Sequence, residues 1–171
     1  MGDSLPAVNL GAGRTAKAIA GGYAHTCAIL DNSLVKCWGS NSSGQLGLGD
    51  TDSRGDSSSD MGDNLTTVDL GSGRTAKAIS TGDSHTCAIL DNEYVKCWGD
   101  NTFGQLGLED NSNRGDESNE MGGNLTTVDL GSGRTATSIT TGAGHTCALL
   151  DDDSVKCWGR GLVGQLGDGK A

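Results

Sequence analysis

Three segments of the chain place one histidine, two cysteines and one tryptophan at fixed spacing. The first, HTCAILDNSLVKCWG, occupies residues 25–39; HTCAILDNEYVKCWG follows at 85–99 and HTCALLDDDSVKCWG at 145–159. Imidazoles and thiolates together bind zinc, paired cysteines form disulfides, and isolated buried cysteines are chemically inert. The sequence therefore offers a metal site, a disulfide or free thiols, repeated three times.

The polar break in the first segment predicts a β-hairpin that brings its cysteines together. If residues 31–33 form a three-residue loop, Cys27 faces Cys37 at a non-hydrogen-bonded position. Opposed Cα atoms there lie about 4.5 Å apart, within the range of a disulfide. The same count predicts the pairs Cys87–Cys97 and Cys147–Cys157. Closing a loop of this size stabilises a fold by roughly 3 kcal/mol.

Zinc ligation and free buried thiols are the alternatives to this pairing. His25 lies two residues before Cys27 and so on the same strand face, but zinc takes four ligands and usually a C-x₂₋₄-C pair. A ten-residue spacing without a fourth ligand favours the disulfide, and paired cysteines indicate an oxidising compartment. We expect hydrogen-bonded structural roles for His25, His85 and His145.

The whole chain is a repeat with a period of 60 residues. Cys27, Cys87 and Cys147 keep this interval, and no insertion breaks it, which predicts three units at 1–60, 61–120 and 121–171. Met1 aligns with Met61 and Met121. We therefore expect a piece of a longer chain, cut or trimmed at a repeat boundary.

Short alternating apolar runs bounded by Gly, Asn and Asp predict an all-β fold. In the first repeat they mark four antiparallel strands, at 7–10, 16–20, 25–30 and 34–38. The hairpin is apolar on both faces: His25, Cys27, Ile29 and Val35 lie on one, and Ala28, Leu30, Leu34 and Trp38 on the other. Such a sheet needs a neighbour on each side. The expected architecture is three four-stranded blades of a β-propeller-like array, as an incomplete ring or an open stack.

Residues 18–51, AIAGGYAHTCAILDNSLVKCWGSNSSGQLGLGDT, resemble a repeat of the regulator of chromosome condensation family. The marks are the Gly-x-x-His opening, the CAIL–turn–VKCWG hairpin and the GQLGLGD close, kept as GQLG in the later repeats. The resemblance covers essentially the whole chain and implies a β-propeller, which in this family usually closes with seven blades. Three blades then require further ones, from additional repeats of a longer chain, from copies of the chain itself or from a protein partner.

The eukaryotic founders of that family are nuclear, bind nucleosomes and catalyse nucleotide exchange on the small GTPase Ran. This chain departs from them, with a net charge of −10 and six pairable cysteines. Members of the disulfide-bearing bacterial and algal type serve instead as binding or surface modules. We expect a non-enzymatic, extracellular or cell-surface structural or protein-binding module. The alternative is an intracellular regulatory propeller, related to guanine-nucleotide exchange factors and completed by further repeats.

Two loops, residues 49–64 and 108–124, are the most polar part of the chain and are rich in acidic residues. Dense oxygen ligands bind Ca²⁺, although neither loop has EF-hand spacing, and a solvated acidic loop is the favoured interpretation. The candidate calcium ligands are Asp50, Asp52, Asp56, Asp110 and Asp116. No other cofactor is expected. Each loop also contains Arg-Gly-Asp, at 54–56 and 114–116, which we interpret as a tight turn.

Three sequons mark candidate glycosylation sites at Asn41, Asn64 and Asn124. The net charge of −10 and a pI near 4.5 argue against nucleic-acid partners. No apolar run approaches the roughly 20 residues of a membrane span. The chain shows none of the GxSxG, phosphate-loop or HExxH signatures, and it is not expected to be an enzyme.

Overall fold

The computed structural model describes residues 2–170 as a series of three antiparallel sheets, one in each repeat. The strands are β1 (Ala16–Gly21), β2 (His25–Leu30) and β3 (Val35–Gly39); β4 (Ala76–Thr81), β5 (His85–Leu90) and β6 (Val95–Gly99); and β7 (Ala136–Thr141), β8 (His145–Leu150) and β9 (Val155–Gly159). Short 3₁₀ turns occupy Gly2–Ser4, Gly62–Asn64 and Gly122–Asn124. The predicted all-β blade architecture is confirmed.

The hairpin between β2 and β3 has the predicted three-residue loop. The Ser33 N–H donates to the Leu30 carbonyl over 2.8 Å, and Ser33 adopts a positive φ of 65°. This left-handed residue supplies the bulge that a three-residue loop needs. The strands therefore pair with Cys27 opposite Cys37, and the same register recurs in the second and third sheets. The predicted register is confirmed.

The prediction of four strands in each blade is wrong, because each sheet has three. Residues 7–10 form no strand, and the equivalent segment of the second repeat lies along the preceding blade. There the Val68 N–H donates to the Val35 carbonyl and the Ala76 N–H to the Ser33 carbonyl. A turn at Gly71 separates these two bonds, so no continuous ladder forms. An isolated bridge pairs Arg54 with Gly39, at the end of β3.

Adjacent blades pack with unlike faces together. The face of blade 1 that carries Cys27, Ile29 and Val35 lies in one core with Leu90 and Trp98 of blade 2. The corresponding face of blade 2 packs in the same way against blade 3. Segments that precede each sheet complete these cores through Val68, Leu70, Val128 and Leu130. The prediction that each sheet needs a neighbour on both sides is therefore met for the middle blade.

Candidate functional site

Each blade is closed by a disulfide between its two hairpin cysteines. The bonds join Cys27 to Cys37, Cys87 to Cys97 and Cys147 to Cys157, with Cα atoms 4.1 Å apart in each pair. The first four of these cysteines are completely buried. With its sulfurs bonded to each other, no cysteine offers a thiolate to a metal, so the structure does not form the zinc site that was the alternative.

A hydrogen-bonded link joins each pair of neighbouring blades at the start of the second strand. The Thr86 hydroxyl donates to the Gln45 carbonyl over 2.9 Å and lies 2.9 Å from His25 Nε2. Because the hydroxyl has only one proton to give, His25 must donate from Nε2. The Trp98 Nε1–H donates to the same Gln45 carbonyl over 3.1 Å.

The second blade repeats this link with the third. His85 Nε2 lies 3.0 Å from the Thr146 hydroxyl, and Thr146 and Trp158 both donate to the Gln105 carbonyl over 2.9 Å. His25 and His85 are therefore hydrogen-bonded structural residues, as predicted. Burial lowers the pKa of each to about 4, and the Asp100 carboxylate partly opposes this shift at His85.

Buried lysines bind the first and second blades to the segments that cross them. Lys36 Nζ donates to the carbonyls of Leu10 and Gly62, over 3.0 and 2.6 Å. Lys96 makes the same two bonds, to Leu70 and Gly122. Burial lowers the pKa of Lys36 and Lys96, and the nearby carboxylates of Asp63 and Asp69 respectively oppose that shift.

The third blade presents an uncovered apolar face, which we call the C-terminal face: His145, Cys147, Leu149, Val155 and Cys157. Val35 and Val95 are fully buried at the equivalent position, whereas Val155 is 63% exposed. Leu149 is 38% exposed, although its counterpart Ile89 is 3% exposed. Among the described residues no following blade covers this face, so apolar surface that belongs in a core meets solvent.

The first blade presents the opposite surface, which we call the N-terminal face: Val8, Leu10, Ala16, Thr26 and Trp38. Val8 is 53% exposed, while Val68 and Val128 at the same repeat position are 4% and 6% exposed. Ala16 is exposed where Ala76 and Ala136 are buried. Neither the Thr26 hydroxyl nor Trp38 Nε1 has the carbonyl partner that its counterparts find within residues 2–170.

A cleft of about 640 Å³ runs beside the C-terminal face. It is lined by Val128 and Leu130 from one side, and by Val155, Trp158 and Leu166 from the other. The equivalents of Leu166 are Leu46 and Leu106, both fully buried beneath a following blade. The cleft therefore corresponds to the space that the following blade occupies beside the first and second blades.

Half-buried carboxylates of the acidic loops form hydrogen bonds and ion pairs with nearby side chains and backbone groups of the protein. Asp50 accepts hydrogen bonds from the Asn41 amide and the Asp52 N–H, and it forms an ion pair with Arg54 at 2.7 Å. Asp110 repeats this pattern with Arg114. Burial acts to raise the pKa of Asp110, but the hydrogen bond from Ser112 and those from Arg114 lower it overall.

The structure does not bring the predicted calcium ligands together. Asp52 and Asp56 are exposed on their loop, and Asp116 lies in the other repeat beside Gly44. Within residues 2–170, no three His, Cys, Asp or Glu side chains are grouped so as to hold a metal ion. The Arg-Gly-Asp segments lie at bends of the backbone, with Gly55 and Gly115 at φ values of 93° and 87°.

The first candidate glycosylation site, Asn41, is inaccessible in the folded structure. Its side chain is completely buried; Nδ2 donates to the Asp50 backbone and Oδ1 accepts from the Leu46 N–H. Asn64 and Asn124 are exposed, and each amide donates to a nearby loop carbonyl. These two sequons remain candidate sites.

Sequence reasoning missed the lysine and the two polar partners of the inter-blade link. Lys36, Thr86 and Gln45 belong to sets that recur at the 60-residue period: Lys36, Lys96 and Lys156; Thr26, Thr86 and Thr146; and Gln45, Gln105 and Gln165. Since polar residues kept inside otherwise apolar repeats need buried partners, this recurrence was the available signal.

No helix among the described residues has the length and apolar character needed to cross a lipid bilayer.

Residues 16–45, 76–105 and 136–165 each match the model of the regulator of chromosome condensation (RCC1) repeat, and residues 35–89 match a second model of that repeat. The chain belongs to the RCC1 repeat family. It is 34% identical over 151 residues to human "Probable E3 ubiquitin-protein ligase HERC4", covering 87% of this chain and 13% of that protein. It is 26% identical to the Ultraviolet-B receptor UVR8 of Arabidopsis thaliana, covering 88% of this chain and 43% of that receptor.

Two solved structures share the fold. Yeast RCC1 (Prp20), bound to Kap60, matches with a TM-score of 0.69 and 17% identity over 91% of this chain. The ectodomain of the Arabidopsis thaliana receptor kinase ACR4 matches with a TM-score of 0.53 and 20% identity over 87% of the chain. The chain spans 34% of the Prp20 chain and 42% of the ectodomain. At these identities the matches show that the chain shares the fold of these proteins.

Proposed function

We propose that the chain is a non-enzymatic structural or protein-binding module that works outside the cell and binds through its two end faces. The observation that carries the proposal is the 63% exposure of Val155, whose counterparts Val35 and Val95 are fully buried between blades. Core-type apolar surface left open in a folded protein marks an interaction site. Its partners are further RCC1-type blades, supplied by additional repeats or by another protein.

A non-enzymatic role is supported by the way the scaffold uses its reactive side chains. The six cysteines are joined in pairs, and His25 and His85 donate to threonines of the next blade. Their Nε2 protons are held in buried hydrogen bonds between blades. The net charge of −10 favours a protein partner over nucleic acid, since phosphate binding needs a basic surface.

An extracellular site of action is supported by the disulfides, because paired cysteines persist in oxidising compartments and are rare in the cytosol. The exposed sequons at Asn64 and Asn124 are suited to the same compartment in a eukaryotic source. A relative with this fold, the ACR4 segment, is described as a receptor-kinase ectodomain.

A second candidate is an intracellular regulatory propeller related to exchange factors. It is favoured by the match to Prp20, whose structure is described together with its binding to Gsp1p and histones. The net charge of −10 and the three disulfides, which are rare in cytosolic and nuclear proteins, argue against this candidate. Addition of the chain to a Gsp1-type GTPase loaded with fluorescent nucleotide distinguishes the two: we expect no acceleration of nucleotide release.

Thiol trapping in the source cells tests the proposed compartment. Intact cells are treated with a membrane-impermeant amine label and then lysed in a membrane-permeant alkylating reagent, and the mass of the chain is measured. We expect amine label on the chain and no alkylated cysteine. Six alkylated cysteines on a chain that carries no amine label would reject the extracellular role and support the regulatory one.

A further inference from the structure

The C-terminal and N-terminal faces carry the two halves of one interface that the chain already contains twice. We propose that two copies of this chain associate head to tail, with the N-terminal face of one copy taking the place of the next blade on the C-terminal face of the other. This inference rests on the proposed function, in which the end faces are the binding surfaces, and it names the partner and the register.

The register follows from the contacts between blades. The Val68 N–H donates to the Val35 carbonyl over 2.8 Å, and the Val128 N–H donates to the Val95 carbonyl over 2.9 Å. One repeat further, the donor position is Val8 of a second copy and the acceptor is Val155. Both valines are more than half exposed in the single chain, although each earlier pair is buried.

The polar groups of the interface are also present as separate halves. Each internal link consists of a histidine and a glutamine carbonyl on one blade, and a threonine and a tryptophan on the next. His145 and Gln165 supply the first half on the third blade, and Thr26 and Trp38 supply the second half on the first. In the single chain Thr26 and Trp38 lack the carbonyl that the Gln165 position offers to a docked copy.

Close packing sets the same register. Gly47 at φ 68° leaves room for the Trp98 indole, since a Cβ there would lie 2.8 Å from Nε1, and Gly107 does the same for Trp158. Gly167 has a φ of 68° and nothing within 4 Å of its Cβ position. The Trp38 ring of a second copy fits against this glycine. Because only the glycine position leaves room for the tryptophan ring, the two faces can pack in one register and not in several.

Lys156 provides a further polar anchor. Its counterpart Lys96 donates to the carbonyl of Gly122, at the start of the following repeat. The matching group for Lys156 is the carbonyl of Gly2 in the docked copy. Lys156 is exposed in the single chain, whereas Lys36 and Lys96 are buried.

The interface joins unlike surfaces, so association is heterologous and continues into a closed ring or an open filament. Each copy carries a net charge of −10, so like charges oppose the approach. Salt shortens the Debye length from about 8 Å at 0.15 M to about 3 Å at 1 M. Association should therefore strengthen as salt is added, whereas a contact held by ion pairs would weaken.

The test combines two single variants, each blocking one face. In Val155→Asp the C-terminal face receives a carboxylate, and in Val8→Asp the N-terminal face does. Wild type is expected to form dimers and larger species in sedimentation velocity, increasing with concentration. Each variant alone should associate at least about 100-fold more weakly, because an unpaired carboxylate would be buried in an apolar contact. An equimolar mixture should form a 1:1 dimer that grows no further.

Leu162→Asp is the matched control. Leu162 is 64% exposed on the same blade, but its counterparts Ser42 and Thr102 stay exposed beside a neighbouring blade, so this variant should assemble like wild type. Unchanged circular dichroism and intact disulfides establish that each variant is folded; both valines are exposed in the single chain. A wild type that stays monomeric throughout, or a mixture that stays monomeric, overturns the head-to-tail pairing.

The outcomes separate this inference from the proposed function. If wild type is monomeric while cells still yield surface-labelled chain without free thiols, the pairing fails and the extracellular role stands. If the variants pair as described but the native cysteines are reduced inside the cell, the pairing stands and the extracellular role fails. If Val8→Asp abolishes association and Val155→Asp does not, the contact joins two N-terminal faces and the proposal is wrong.

Discussion

His85 Nε2 lies 3.0 Å from the hydroxyl of Thr146, a residue of the next blade 61 positions along the chain. Both side chains are completely buried, and the Thr146 hydroxyl donates a hydrogen bond to the Gln105 carbonyl. The imidazole therefore donates from Nε2 and leaves Nδ1 unprotonated, without a hydrogen-bond partner in the described structure. A second proton at Nδ1 would create a buried charge, which is the physical reason for the pKa of about 4.

We predict that acid weakens the fold through His25 and His85. Their folded-state pKa of about 4 lies below the ordinary value of 6.5, so the unfolded chain takes up these protons first. The free energy of unfolding should fall as the pH drops from about 6.5 toward 4, by about 3 kcal/mol for each histidine. Urea unfolding across this range measures the effect.

The variant His85→Gln isolates one histidine from the titrating carboxylates, because glutamine carries no titrating proton. Its free energy of unfolding should lose less on acidification than that of wild type, by about 3 kcal/mol between pH 6.5 and 4. Parallel curves for the two proteins would show that His85 is not neutral in the folded state.

We predict that Gly22→Ala is strongly destabilising and that Gly21→Ala is not. A Cβ at Gly22 would lie 2.4 Å from the Gly82 carbonyl oxygen and 2.5 Å from His25 Cε1, whereas a Cβ at Gly21 meets nothing within 4 Å. The first change should cost about 2–3 kcal/mol through overpacking. The second should stay within about 0.5 kcal/mol of wild type. Equal urea midpoints for the two variants would contradict the close approach of Gly22 to the histidine ring.

The blade hairpins were predictable from sequence, because loop length fixes strand register. Three residues between Leu30 and Leu34 place Cys27 opposite Cys37, and the left-handed Ser33 supplies the required bulge. The fourth strand was not predictable in this way. In the later repeats the equivalent segment lies along the preceding blade through separate hydrogen bonds, such as Val68 N–H to the Val35 carbonyl, and local alternation does not distinguish this long-range contact from a strand.

The polar part of the candidate site was less accessible to sequence reasoning. A sequon at Asn41 says nothing about burial, yet the same asparagine recurs at Asn101 without a sequon and makes the same bonds to its loop. That recurrence indicates a structural residue. From the sequence we could predict only that each sheet needs a neighbour on both sides. The residues that the end faces expose become known only from the structure, where Val155 is exposed and Val95 is buried.

We predict that Lys96→Met destabilises the protein and that Lys156→Met does not. The first substitution removes hydrogen bonds to the Leu70 and Gly122 carbonyls at 3.0 and 2.6 Å and leaves both acceptors unpaired. Loss of these charge-assisted bonds should cost about 2–3 kcal/mol. Lys156 is exposed at the end of the array, so its variant is the matched control and should stay within about 0.5 kcal/mol. Urea titration of dilute protein compares them; similar losses would refute the buried role of Lys96.

We predict that secretion from a eukaryotic host attaches glycans at Asn64 and Asn124 but not at Asn41. The first two side chains are exposed, and Asn41 is completely buried with both ends of its amide hydrogen-bonded. Intact mass should drop by one glycan in Asn64→Gln and in Asn124→Gln. Asn41→Gln should lose no glycan but should unfold at lower urea. A glycan found on Asn41 of folded protein would contradict its burial.

The most direct test of the stapled blades is a non-reducing tryptic map of protein alkylated in its native source. Because a lysine precedes the second cysteine of every repeat, trypsin separates the six cysteines into different peptides: 18–36, 37–54, 78–96, 97–114, 135–156 and 157–160. We expect three linked pairs, one within each repeat, which separate on reduction. Alkylated cysteines, or links between different repeats, would contradict both the blade architecture and the extracellular role built on it.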